Sequence, residues 1–119
     1  MSARGEAFIK AKKREVPILF TAQAISNAEQ QLKKTITDAM NELAAGHVSF
    51  TDTASLLRAG MEAARLAGHY GGKPISTQDA FALIDEVGIV PVIQALSTTL
   101  VEVFTSDLEQ QASEGDDPN

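Results

Sequence analysis

The sequence predicts a mainly α fold: a small helical domain of about four helices with an N-terminal two-stranded β-hairpin. Three observations carry that expectation. From Thr21 to about Gln111, apolar residues recur at helical spacing. Capping residues and glycines divide that stretch into segments. Ahead of it, residues 6–20 alternate apolar and polar side chains, which is the period of a strand.

The hairpin comes first. Ala7, Ile9 and Ala11 alternate with Phe8, Lys10 and Lys12, and Val16, Ile18 and Phe20 share one face of the second strand. Lys12, Lys13 and Arg14 form the turn. Pro17 has no N–H to give to a ladder, so its strand must lie at an edge. A lone hairpin is barely stable in water and has to lean on the helices.

Thr21 is the expected N-cap of the first helix, whose stripe runs through Ile25, Ala28, Leu32, Ile36, Ala39, Met40 and Leu43 to a C-cap glycine at Gly46. A second helix starts at Ser49 or Thr51, with Ser49 and Asp52 at capping-box spacing, and continues through Leu57, Met61, Ala64 and Ala67. Gly68, Gly71, Gly72 and Pro74 break the chain. Ser76 and Asp79 open a short third helix that ends at Gly88. Pro91 fits the first turn of the last helix, where a missing N–H costs nothing. That helix carries the longest apolar stripe, Val92, Ile93, Leu96, Leu100, Val103, Phe104 and Leu108. The expected organisation is a flexible start at residues 1–5, the hairpin at 6–20, the helical domain at 21–108 and a disordered acidic tail at 109–119.

A chain of 119 residues is long enough for one real core and too short for two. No apolar run reaches the roughly 18 residues of a spanning helix, and the first residues lack the apolar stretch of a secretory leader, so a cytoplasmic protein without a membrane partner is expected. The absence of cysteine removes disulfides, thiolate catalysis and thiolate metal sites together. The net charge of −6 is unevenly spread: residues 1–34 carry +4 and the remainder −10. Such a chain can steer a partner of either sign, or a second copy of itself.

The chemical inventory is thin. His47 and His69 each follow a glycine near a helix end and have no second histidine at ligand spacing, so no metal is expected. Asp85 and Glu86 are adjacent, and on a helix they point about 100° apart instead of converging on one substrate. The run His69-Tyr70-Gly71-Gly72-Lys73-Pro74 lacks the spacing of a phosphate loop and follows no strand. The basic turn could touch phosphates, but the domain is acidic and has no recognition-helix signature, so nucleic acid is not the expected partner. The sequence therefore points away from an enzyme, with neither cofactor nor metal, and toward a protein that holds another macromolecule. The last helix serves first as core, packed on the first two helices. Its stripe is also wider than three short helices can cover, which makes Val92, Leu96, Leu100, Phe104 and Leu108 the candidate partner-binding residues. Lys12, Lys13 and Arg14 are a second contact surface.

The order of these elements resembles the small tail assembly chaperones of long-tailed bacteriophages, in particular the type related to the gene-transfer-agent tail protein family. Arg4-Gly5-Glu6 is similar to the opening of those chains and precedes a strand, a turn and a strand. Glu29, within Ala28-Glu29-Gln30-Gln31-Leu32, Leu56-Leu57-Arg58-Ala59-Gly60, and Ala82-Leu83-Ile84-Asp85-Glu86-Val87-Gly88 follow in the family's order, and a last helix like Val92 to Phe104 closes the match. The likeness spans roughly residues 4–108; it departs in a turn without glycine and in Pro17. The resemblance implies a protein that binds the tape-measure protein, keeps it soluble while tail-tube subunits assemble around it, and acts in the host cytoplasm without entering the mature virion. Many proteins of the kind this chain resembles are also made in a longer form by ribosomal frameshifting. A structural tail or head–tail connector component retained in the virion, and a small nucleic-acid-binding regulator, are the alternatives the sequence leaves open.

Overall fold

The structure, a computed structural model, describes residues 5–69 and 71–115, of which 106–115 are described as backbone only. Strands β1 (Glu6–Lys10) and β2 (Glu15–Leu19) pair antiparallel, with Glu6 opposite Leu19 and Lys10 opposite Glu15. The Ala11 N–H donates to the Arg14 carbonyl at 2.9 Å and closes the basic turn. The alternation holds: Ile9, Val16, Ile18 and Phe20 are buried, while Phe8 is half exposed. Pro17 lies opposite Phe8 in a sheet of only two strands, where both strands are edges.

Gly5 fixes the hairpin to the body. Its φ of +82° is a conformation that favours glycine, and a Cβ there would stand 2.8 Å from the Phe20 carbonyl oxygen and 3.0 Å from Val103 Cγ2. Its carbonyl accepts the Phe20 N–H at 2.8 Å. The flexible start expected over residues 1–5 therefore excludes Gly5, which is buried; residues 1–4 lie outside the described region. The next residue, Glu6, reaches His69 at 3.2 Å and ties β1 to the end of a helix.

The helices are α1 (Ala22–Leu32), α2 (Ile36–Ala45), α3 (Phe50–Leu66), α4 (Thr77–Val87) and α5 (Ile89–Gly115). The single first helix expected from Thr21 to Gly46 is two helices. Lys33 adopts a left-handed conformation at φ +61° and ends α1, and Thr35 caps α2 by accepting the Asp38 N–H. Periodicity alone cannot register this break, because Leu32 and Ile36 are both buried and stand four residues apart, as they would on one continuous helix. Polar groups hold the corner. Glu29 accepts the Ile36 N–H at 2.8 Å, and Lys34 spans Glu42 and Asp52, each at 2.8 Å. Those two carboxylates, Asp52 first, raise the Lys34 pKa.

The other caps fall where the sequence puts them. Thr21, Ser49 and Ser76 cap α1, α3 and α4, and Ser76 with Asp79 forms the complete reciprocal box. Helix α3 is the central element, packed on β2, α1, α4 and α5. Chain direction turns by 114° between α4 and α5 at Gly88. The core draws on every element, with Ile18, Leu56, Leu57, Leu83, Leu96 and Leu100 fully buried. Helix α5 is described as backbone through Gly115, across the start of the tail expected to be disordered from residue 109, and residues 116–119 lie outside the described region. No single helix among the described residues is long and apolar enough to cross a membrane.

Candidate partner-binding site

The stripe singled out on the last helix is core. Val92, Leu96 and Leu100 are all 0% exposed, and Phe104 is half-buried against the same cluster. Leu108 lies outside the described side chains. Burial of the first three corrects the expectation that they present a surface: β1, α2, α3 and α4 all pack on α5 and cover that side of it. Apolar side chains that do reach solvent on this helix, Val90 and Val101, stand on another flank. Lys12, Lys13 and Arg14 are exposed at the hairpin turn as expected. Arg14 is already engaged, its Nη2 lying 3.2 Å from Glu86, whose carboxylate also accepts the Lys12 N–H at 3.3 Å. Those two donors, Arg14 first, hold the Glu86 carboxyl below its usual range.

An apolar concavity instead opens between α1 and α3. It has a volume of about 280 Å³ and is walled by Leu19, Ala24, Ala59, Ala63 and Leu66. Its origin is local. Ala59 and Ala63 on α3 and Ala67 at its C-cap recur every four residues, so small side chains line up in one row and leave room beside the helix. Arg58, Glu62 and Leu66 form the row next to it. Leu66 stands at the rim with 72% of its surface exposed, the most exposed of the large apolar residues described. On the α1 wall, Gln23 Nε2 donates to Asn27 Oδ1 at 3.0 Å, and the two side chains satisfy each other. The signal for this groove was present in the sequence as the four-residue alanine repeat, off the buried stripe of Leu57, Met61 and Ala64.

Compared with protein-family models, with curated proteins and with solved structures, the chain matches none.

Electrostatics along the groove centre on Glu62. Arg65 grips its carboxylate with two donors, Nε to Oε1 at 2.9 Å and Nη2 to Oε2 at 2.6 Å, and the Ile75 N–H adds a third bond to Oε1 at 2.8 Å. These bonds, Arg65 foremost, outweigh desolvation and lower the Glu62 pKa to about 2. Arg58 is left over. It stands one turn before Glu62, yet its closest polar contact is a long bond from Nη1 to the Ile75 carbonyl at 3.5 Å. Among the described residues its buried Nε has no hydrogen-bond partner.

A second, wider basin of about 550 Å³ lies beside the hairpin turn, edged by Arg14, Lys73, Met61 and Asp79. Two of its charged groups are already committed, Arg14 to Glu86 and Asp79 to the α4 capping box. Among the described residues, no group of three or more histidine or carboxylate side chains converges to hold a metal ion. The α1/α3 groove pairs small apolar walls with a rim leucine, and that combination suits the face of a helix better than a small polar molecule.

Proposed function

We propose that this protein is a tail assembly chaperone of the kind made by long-tailed bacteriophages. It binds the tape-measure protein, a long and largely helical chain, shields its apolar faces and keeps it soluble while tail-tube subunits assemble around it. It works in the host cytoplasm by stoichiometric binding and stays out of the finished particle. The observation that carries this reading is the apolar groove between α1 and α3, with the exposed Leu66 at its rim. A helical body behind an N-terminal hairpin, in the order that resembles the family, supports it as well.

Co-expression with the longest helical open reading frame encoded just downstream is the test. The expected result is that the long protein becomes soluble only with this partner and co-purifies with it. If it stays insoluble, and this protein is found at a fixed copy number in purified particles, it is a structural tail component instead.

A further inference from the structure

Half-buried Arg58 carries the one buried side-chain nitrogen or oxygen among the described residues that lacks a hydrogen-bond partner, and it lines the α1/α3 groove. A guanidinium has five N–H donors. Here one of them makes a long bond to a backbone carbonyl, and the buried Nε makes none. The natural acceptor would be Glu62, one helical turn away. Glu62 makes no hydrogen bond to it: its Oε1 takes bonds from Arg65 and Ile75 and its Oε2 takes the second from Arg65. Glu62 and Arg65 also cancel in charge. Arg58 reaches Glu62 through its field alone, and two arginines beside one carboxylate leave a net positive charge next to an apolar groove, in a protein whose net charge is −6.

Arg58 lines the groove, and beyond one long bond from Nη1 its guanidinium donors are not satisfied by the described protein, so a partner seated there can bring an acceptor. We propose that the groove takes an amphipathic helix whose small apolar face carries one carboxylate, and that Arg58 pairs with that carboxylate. The inference rests on the chaperone reading for the identity of the client, but the chemistry of the occupant follows from charge complementarity at the groove itself. Ala59 and Ala63 let the helix approach closely, Leu66 packs along its flank, and the guanidinium makes a charge-assisted pair that fixes its register. Leaving Arg58 unpaired in the free protein makes the groove selective: an apolar helix without an acid would bury the charge with nothing to answer it.

The test uses two synthetic helical peptides of about 20 residues, long enough for several turns. They share an alanine- and leucine-rich face and differ only by a Glu or a Gln at its centre. Fluorescence anisotropy with the full chain should show the Glu peptide binding about tenfold more tightly, the scale of one charge-assisted hydrogen bond. Arg58→Met should bind both peptides equally, with its fold checked by circular dichroism. Equal binding of the two peptides by the unmodified protein overturns the proposal without any variant, as does a preference that survives in Arg58→Met. No measurable binding of either peptide overturns docking in the groove. A concentration-dependent dimer abolished by Leu66→Glu would assign the groove to a second copy, which also overturns it. The chaperone reading fails separately: if the Glu preference holds while the co-expressed long client stays insoluble, the groove chemistry stands and the client's identity does not.

Discussion

The ring of Phe20 occupies the space that a side chain on Gly60 would need. A Cβ at Gly60 would lie 2.9 Å from Phe20 Cζ and 3.2 Å from Ile18 Cβ. The central helix is therefore glycine where it crosses β2, and the strand sits against its backbone. Gly60→Ala gains about 1 kcal/mol of helix propensity but forces a buried ring and a strand apart, at about 1–3 kcal/mol. The ring and strand are fixed by the surrounding core, so the overpacking wins. The substitution should lower stability by up to about 2 kcal/mol in urea titration, whereas a stabilised variant would mean that the hairpin shifts freely on α3.

Glu29 and Ile36 carry the second prediction. A carboxylate on α1 accepts the N–H of the first residue of α2, so one helix caps the next across the Lys33–Thr35 corner. Glu29→Ala should cost about 1 kcal/mol, on the scale of a lost cap. Glu29→Gln keeps an acceptor oxygen and should cost less. Both are read as a shift in urea midpoint at unchanged slope.

That corner also marks the limit of what the sequence makes legible. Short-range chemistry was readable: the hairpin alternation, the caps at Thr21, Ser49 and Ser76, and the glycine stops at Gly46 and Gly88 all depend on neighbours within four residues. The break between α1 and α2 was not, because its stabilising contacts run from Glu29 across to Ile36 and from Lys34 across to Asp52. The cover over Val92, Leu96 and Leu100 was illegible for a related reason. An apolar stripe shows that a helix buries a face, but it does not show how many neighbours cover it. On α5 the cover is complete over Leu96 and Leu100, so the open surface arises on α3, in a row of alanines with a low apolar signal.

Acid should loosen the joint between α3 and the segment leading into α4. The Glu62 carboxyl titrates at about 2 in the folded protein against an ordinary value of 4.5. Between those values the unfolded chain binds the proton and the folded one does not, so folding is favoured as pH rises. The contribution is fully present above pH 4.5 and is lost as pH falls toward 2. Glu62→Gln should flatten this part of the stability–pH curve and lower stability at neutral pH. A curve that keeps its full slope in the variant would assign the acid sensitivity to other carboxylates.

The hairpin turn is held by a single acid on α4. Glu86 accepts from the Arg14 side chain and from the Lys12 backbone N–H, and Arg14 itself is 58% exposed. Exposed pairs contribute little to global stability. Glu86→Ala should leave the thermal midpoint unchanged and speed amide exchange in the turn, at Ala11 and Lys12. A clear fall in midpoint would show that the turn is part of the cooperative core.

Leu100 and Leu66 separate the fold from the binding surface. Leu100 is fully buried and Leu66 is 72% exposed, although both are leucines on amphipathic helices. Leu100→Ala removes packed methyl groups from the core and should cost about 2–5 kcal/mol. Leu66→Glu replaces a solvated side chain near the end of α3 and should stay within about 0.5 kcal/mol of the parent. Binding should reverse that ranking. Leu66→Glu places a charge at the rim of the groove and should abolish co-purification with a helical client while circular dichroism and thermal midpoint remain those of the parent. A folded Leu66→Glu that retains the client would remove the α1/α3 groove as the binding surface and return attention to the exposed flank of α5 at Val90 and Val101.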